Sequence, residues 1–210
     1  MEERFAKIIS YIFHPLIMPT IGICIILNTN TYIGYSTSDP TKWFTMLVIF
    51  MSTFMLPALL AAYLLHSGLI SSFHMPTANE RRLPFLLTAI IYYFTYYAIR
   101  QLPIIITEFS LPSIIYVIIL GATFSILLAL IINFKWKISV HMIGIGGLVG
   151  TMLGVSLKYS TNFNAIICAT ILIAGLIGFS RLKLKAHRLS QVYAGFIMGL
   201  LCELVFILGA

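Results

Sequence analysis

The sequence predicts an all-α, polytopic transmembrane helical bundle of six to seven spans. Three observations lead there. Hydrophobic residues make up 60% of the 210-residue chain and charged residues only 9%, against roughly 25% charged in a soluble domain. The apolar residues come in long blocks, and a bilayer core of about 30 Å needs roughly 17–25 of them per helix. The polar residues gather between those blocks. The chain reads as one domain over 1–210.

The predicted segments are 8–28, 43–66, 83–100, 112–133, 139–158, 163–180 and 190–209. The N-terminal run MEERFAKIISYIF lacks a small-residue cleavage site, so the first segment is read as a retained helix. His14-Pro15 inside it reads as a kink with a hydrogen-bonded imidazole. Asp39 and Pro40 mark the first loop, and Gly68 and Pro76 the second. The third segment, Leu83 to Arg100, is short, and Pro103 and Pro112 bracket the loop that follows it. The fifth and sixth segments are divided only by the polar interval 158–162, so six spans plus a re-entrant piece is an alternative. Gly146, Gly150 and Gly154 on the fifth segment recur every fourth residue, as do Gly195 and Gly199 on the seventh. Such spacing lets helix backbones approach closely in lipid. Trp43, Trp136 and the tyrosines at 92, 93, 96 and 97 fit interfacial anchoring. Cys24, Cys168 and Cys202 read as small buried residues, and no CxxC or HExxH metal motif occurs.

Charge sets the expected orientation. The net charge is +7. With seven spans, the side holding the N-terminus carries Arg4, Lys7, Arg81, Arg82, Lys135, Lys137, Arg181, Lys183, Lys185 and Arg188, against Lys42, Arg100 and Lys158 opposite. The positive-inside rule puts the crowded side in the cytoplasm. A bacterial inner membrane is the expected location. The basic residues lie between apolar segments, so their expected partners are membrane lipids, with no nucleic acid.

Three stretches on that side hold nearly all the reactive side chains: Asn79 to Pro84, Lys137 to His141 and Ser180 to Gln191. Guanidiniums converging on one point form a phosphate site through paired charge-assisted bonds. Ser139 adds a hydroxyl, and a helix N-terminus adds backbone N–H groups. One histidine can attack phosphorus while another protonates the leaving oxygen. Arginines neutralise the transition-state charge, so the expected site needs no metal and no cofactor.

These residues resemble the type 2 phosphatidic acid phosphatase (PAP2) superfamily, whose motifs are Lys-x6-Arg-Pro, Pro-Ser-Gly-His and Ser-Arg-x5-His-x3-Asp. Ser180, Arg181 and His187 match the third spacing; Ser139 and His141 match the second, with Ile138 and Val140 in place of Pro and Gly. The first is loose: Arg81 or Arg82 precedes Pro84 with Leu83 between, and His74 or Met75 stands where the lysine belongs. The resemblance covers about residues 74–200. It implies that His187 is the nucleophile and His141 the general acid. Arg81 or Arg82, Arg181, Ser139 and Ser180 would hold the phosphate of a lipid substrate. Gln191 replaces the Asp that orients the nucleophilic histidine. A glutamine can fix the tautomer but supplies no charge, so the alternative expectation is a protein that binds or moves phospholipids without hydrolysis. Glu80 is the nearest acid and is expected to pair with Arg81 or Arg82. Glu203, in the last segment, is expected to snorkel toward the far surface. A membrane prenyltransferase would need paired Asp-rich motifs, and the chain has one aspartate.

Overall fold

A proline inside a span removes one amide donor and clashes with the carbonyl four residues back. Two of the membrane-length stretches are shaped by this. In the computed structural model, which describes residues 2–105 and 111–210, α1 (Glu2–Ile12) stops before His14-Pro15 and a 3-10 turn covers Pro15–Ile17. The chain resumes as α2 (Met18–Asn28). His14 caps the break, its Nδ1 accepting from the Leu16 N–H at 3.4 Å. The predicted segment 8–28 is therefore two helices, and it starts earlier, at Glu2.

After the short α3 (Tyr32–Ser36) comes α4 (Asp39–Phe50), capped by the Ser38 side chain. It runs through one π-helical turn at Met51–Met55 into α5 (Leu56–His66). Pro57 cannot donate to the Thr53 carbonyl four residues back. The buried Tyr92 hydroxyl does so instead, at 2.9 Å. Tyr92 is thus a packing residue and not an interfacial anchor. Tyr93, Tyr97 and Trp43 do face outward.

The third long helix is not short. α6 (Ala78–Ile105) has 28 residues, the most of any helix among the described residues, and it includes Pro103. Its charged first turns and Arg100 made it look shorter. α6 runs antiparallel to α7 (Ser113–Asn133): Asn133 donates to the Ala78 carbonyl at 2.7 Å at one end, and the Tyr96 and Tyr116 rings meet toward the other. Within the predicted loop between them, 106–110 lie outside the described residues.

α8 (Val140–Tyr159), α9 (Asn164–Lys183) and α10 (Leu189–Gly209) complete the bundle. The polar interval after the fifth segment is a true turn, with left-handed Ser160 (φ 50) ending α8. Six stretches, Glu2–Asn28, Asp39–His66, Ser113–Asn133, Val140–Tyr159, Asn164–Lys183 and Leu189–Gly209, are long and apolar enough to cross a membrane. α6 matches them in length. No strand occurs among the described residues.

α8 and α10 form the tightest seam. A Cβ at Gly146 would strike the Phe196 carbonyl oxygen, one at Gly150 that of Leu200, and one at Gly199 that of Ile143. Ile23, Ile26, Ile115, Ile119, Ile145, Met152 and Ile177 fill the interior. The outward faces are as apolar as the inside: Phe94, Ile131, Leu172 and Val205 are exposed, a face that lipid covers. Cys24 and Cys168 are on that outer surface too, and only Cys202 is buried.

Candidate functional site

The three polar stretches meet at one end of the bundle. Lys183 pairs with Glu2, and Arg181 Nη1 donates to Ser10 Oγ at 3.3 Å. His141 Nε2 donates to the Ser10 carbonyl at 3.2 Å. These contacts dock α1 against the beginning of α8 and the end of α9. Beside them opens a cavity of about 560 Å³, bordered by Arg81, Arg181, His187, His141, His14 and Lys7. No acid borders it among the described residues. Its other wall is apolar, with Pro57, Ala61 and Leu65 of α5 and Phe85 and Ile126 behind them. That mixture of size and lining is usual for a small-molecule pocket.

Two backbone turns deliver the charged groups. After α9, Ala186 N–H bonds the Arg181 carbonyl and Lys185 N–H that of Leu182, with Lys185 left-handed at φ 51. This Schellman closure satisfies the helix end and turns the chain back, which brings His187 to the same cavity as Arg181. Left-handed Met75 (φ 44) does similar service for Arg81. Arg81 Nε donates to the Met75 carbonyl at 2.8 Å and its Nη2 to that of His74 at 3.4 Å.

His187 is held in one tautomer. Gln191 Oε1 accepts from the Arg188 backbone N–H at 3.0 Å, which fixes that atom as oxygen, and it lies 3.2 Å from His187 Nδ1. Nδ1 therefore carries the hydrogen, leaving the Nε2 lone pair free on the neutral ring. Burial, reinforced by Arg181 and Arg81, pushes the imidazole down to about 3, while the Gln191 bond opposes the shift. The ring is neutral across the physiological range. Lys137, outside the spans, is also pushed down, first by burial and then by Arg81 and Arg181.

Among the described residues, no carboxylate lies within ion-pair distance of Arg81 or Arg181; the ion pairs are Lys42–Asp39 and Lys183–Glu2. Both guanidiniums are nonetheless buried, and Arg181 Nε has no partner. Glu80 does not pair with either neighbouring arginine. Its oxygens accept from the Ser71 amide and hydroxyl and from the Thr77 hydroxyl, fastening the loop before α6. Buried positive charge without an acid is costly unless an anion meets it.

Four of the predicted site residues stand apart from the cavity wall, Gln191 among them, which meets the cavity only through His187. Arg82, one residue round the helix, puts its guanidinium over the Phe134 ring at 4.5 Å. Ser180 donates to the Leu176 carbonyl of its own helix at 2.8 Å. Ser139 is fully buried before α8, its hydroxyl unpartnered and outside the cavity wall. In return, α1 supplies Ser10 and the break after it supplies His14, both of which the motif reading passed over. His14 and His141 meet edge to face with ring centroids 5.7 Å apart. The signal was present: Ser10 and His14 interrupt an otherwise apolar run just before Pro15.

No group of three or more metal-ligating side chains occurs among the described residues. Comparison with known proteins returns no matching family model, no matching curated protein and no matching solved structure.

Proposed function

We propose that this membrane protein is a phosphohydrolase of PAP2-like chemistry that acts on a lipid phosphate monoester or diphosphate at the cytoplasmic face. The observation that carries the reading is the pair of buried arginines, without an acid partner, facing a neutral histidine whose free nitrogen is fixed by Gln191. Arg81 and Arg181 would take the phosphate oxygens, and the apolar α5 wall the lipid portion.

In this reaction His187 Nε2 attacks phosphorus. The bond from phosphorus to the lipid oxygen breaks, and that oxygen keeps the electron pair and takes a proton from His141. Because the Ser10 carbonyl holds Nε2–H of His141, the ring offers its Nδ1 lone pair, which takes the proton carried by the substrate's phosphate monoanion and hands it to the leaving oxygen. Water then attacks the phosphohistidine, His141 relays the water's proton to the phosphate, and inorganic phosphate leaves. The guanidiniums stabilise charge as it develops on phosphorus.

The test is phosphate release by detergent-purified protein from phosphatidate, phosphatidylglycerol phosphate and a polyprenyl diphosphate, with EDTA present. His187→Ala should lower turnover by about 10³-fold or more. Turnover that survives His187→Ala overturns the reading. One feature supports a second reading, binding or moving phospholipid without cleavage: the residue that orients His187 is the uncharged Gln191. Tight phosphatidate binding with no phosphate release from any of these substrates would favour it.

A further inference from the structure

A carboxyl deep in the bundle lies outside everything described so far. Glu203 is fourteen residues into α10, about 21 Å along its axis at 1.5 Å per residue. It does not snorkel: only 3% of its surface is exposed. Its side chain is set among glycines of two other helices. A Cβ at Gly121 of α7 would lie 2.7 Å from Oε2, and one at Gly147 of α8 would lie 3.4 Å from Cγ.

Oε2 is buried and has no hydrogen-bond partner, and Ser125 Oγ, one turn along α7 from Gly121, has only the weakly bonding Cys202 thiol beside it. Both residues border a second cavity of about 70 Å³, together with Thr151. At about 30 Å³ of liquid volume per molecule this holds about two waters. No lysine, arginine or histidine borders it among the described residues. Its other titratable neighbours are Tyr92, whose hydroxyl is committed to the Thr53 carbonyl, and Cys202, adjacent on α10. A carboxylate here has no protein cation to meet it, and an unpaired charge in this setting is expensive.

The two cavities share walls. Pro15 and Leu16 at the break between α1 and α2, Ile126 of α7 and Val140 of α8 border both, so shared side chains divide them. We infer that Glu203 is a proton-binding site inside the membrane, reached by water from the charged-face cavity past Leu16. Hydronium gives its proton to the carboxylate, leaving a carboxylic acid and water, and Ser125 is the hydrogen-bond partner of the acid. A hard divalent cation takes about six or more oxygens, and the Glu203, Ser125 and Thr151 side chains offer fewer. A proton requires one. The inference does not depend on which anion the larger cavity takes.

Infrared difference spectroscopy on the full protein in lipid nanodiscs tests it. A carboxylic-acid carbonyl band should be present at neutral pH, disappear in Glu203→Gln, and shift without disappearing in Ser125→Ala. If Glu203→Gln does not fold, the Ser125→Ala shift still reports on the assignment. Leu16→Trp, which narrows the shared wall, should slow deuterium exchange of that band by about tenfold or more. A band unchanged by both Glu203→Gln and Ser125→Ala overturns the inference. So does loss of the wild-type band on adding sodium at fixed pH, which would make this a metal-cation site. Exchange unaltered by Leu16→Trp overturns the route.

Discussion

The seam between α8 and α10 and the wall formed by α1, α5 and the start of α6 are built on opposite plans. Along the seam, glycines bring one backbone against the carbonyls of the other, leaving no room for a side chain. Across the wall, chain breaks and side-chain hydrogen bonds hold the elements apart: the His14-Pro15 interruption, the π-turn and the Arg81 bonds to a loop. His141 comes from the first turn of α8 and Gln191 from the first turn of α10, so both stand on the tight part. Arg81, Ser10 and the apolar lining come from the open part. The difference separates two requirements of a pocket. His141 and Gln191 are set on interlocked backbone, while the apolar side of the cavity is spaced by irregular backbone.

The strongest way to break the contrast is Gly199→Leu. The new side chain meets backbone of Ile143, which cannot move aside as a side chain would. Stability should fall by about 3 kcal/mol or more. Gly175→Leu, with open space around it, should cost far less. Thermal unfolding of both variants in detergent checks this, and equal losses would mean that the seam is not especially tight.

Gln191→Asp sharpens the comparison at the junction of the two regions. An adjacent carboxylate should raise the titration of His187 from about 3 by about one to three units. The sign for stability follows from the depressed value. The fold favours the neutral ring, so the stability it contributes is present above the unfolded value of about 6.5 and is lost as pH falls toward about 3. Gln191→Asp should narrow that acid-sensitive window. Histidine chemical shifts followed through a pH titration provide the measurement, and an unmoved midpoint would mean that His187 and residue 191 are not bonded.

The smallest effect separates two adjacent arginines. Arg82→Gln removes a cation–π contact and should cost about 0.5–1 kcal/mol of stability, with phosphate affinity nearly unchanged. Arg81→Gln should instead weaken phosphate binding by about tenfold or more. Calorimetric titration with inorganic phosphate distinguishes them; equal losses would place both arginines at the anion.

Much of the architecture was legible because lipid imposes a simple rule: a span must be long, apolar and helical. Loop parity alone also places Arg81, His141, Arg181 and His187 at one end, where the structure has them. The failures have specific causes. Arg81 and Arg82 are indistinguishable in a linear motif, yet about 100° of helical rotation sends one to the cavity and the other to Phe134. Ser139 and Ser180 match a motif by position, but one is buried behind the cavity wall and the other's hydroxyl is taken by its own helix. Glu203 looked like a snorkelling residue because the glycines that enclose it are on other helices, far away in sequence.

The π-turn at Met51–Met55 has a consequence for how this chain tolerates change in length. A π-turn accommodates one residue more than the α-helical path, and each residue carries about 100° of rotation. Everything from Leu56 to His66 is therefore set in angular phase by that single surplus residue. Deleting one position there would return the helix to regular α geometry and leave Ala58, Ala61 and Leu65 on the cavity, whereas straightening the turn with the residue retained would swing them about 100° toward lipid without altering hydropathy. The turn thus absorbs a change of one residue, and its surplus residue works as a rotational offset that decides which face of α5 lines the pocket.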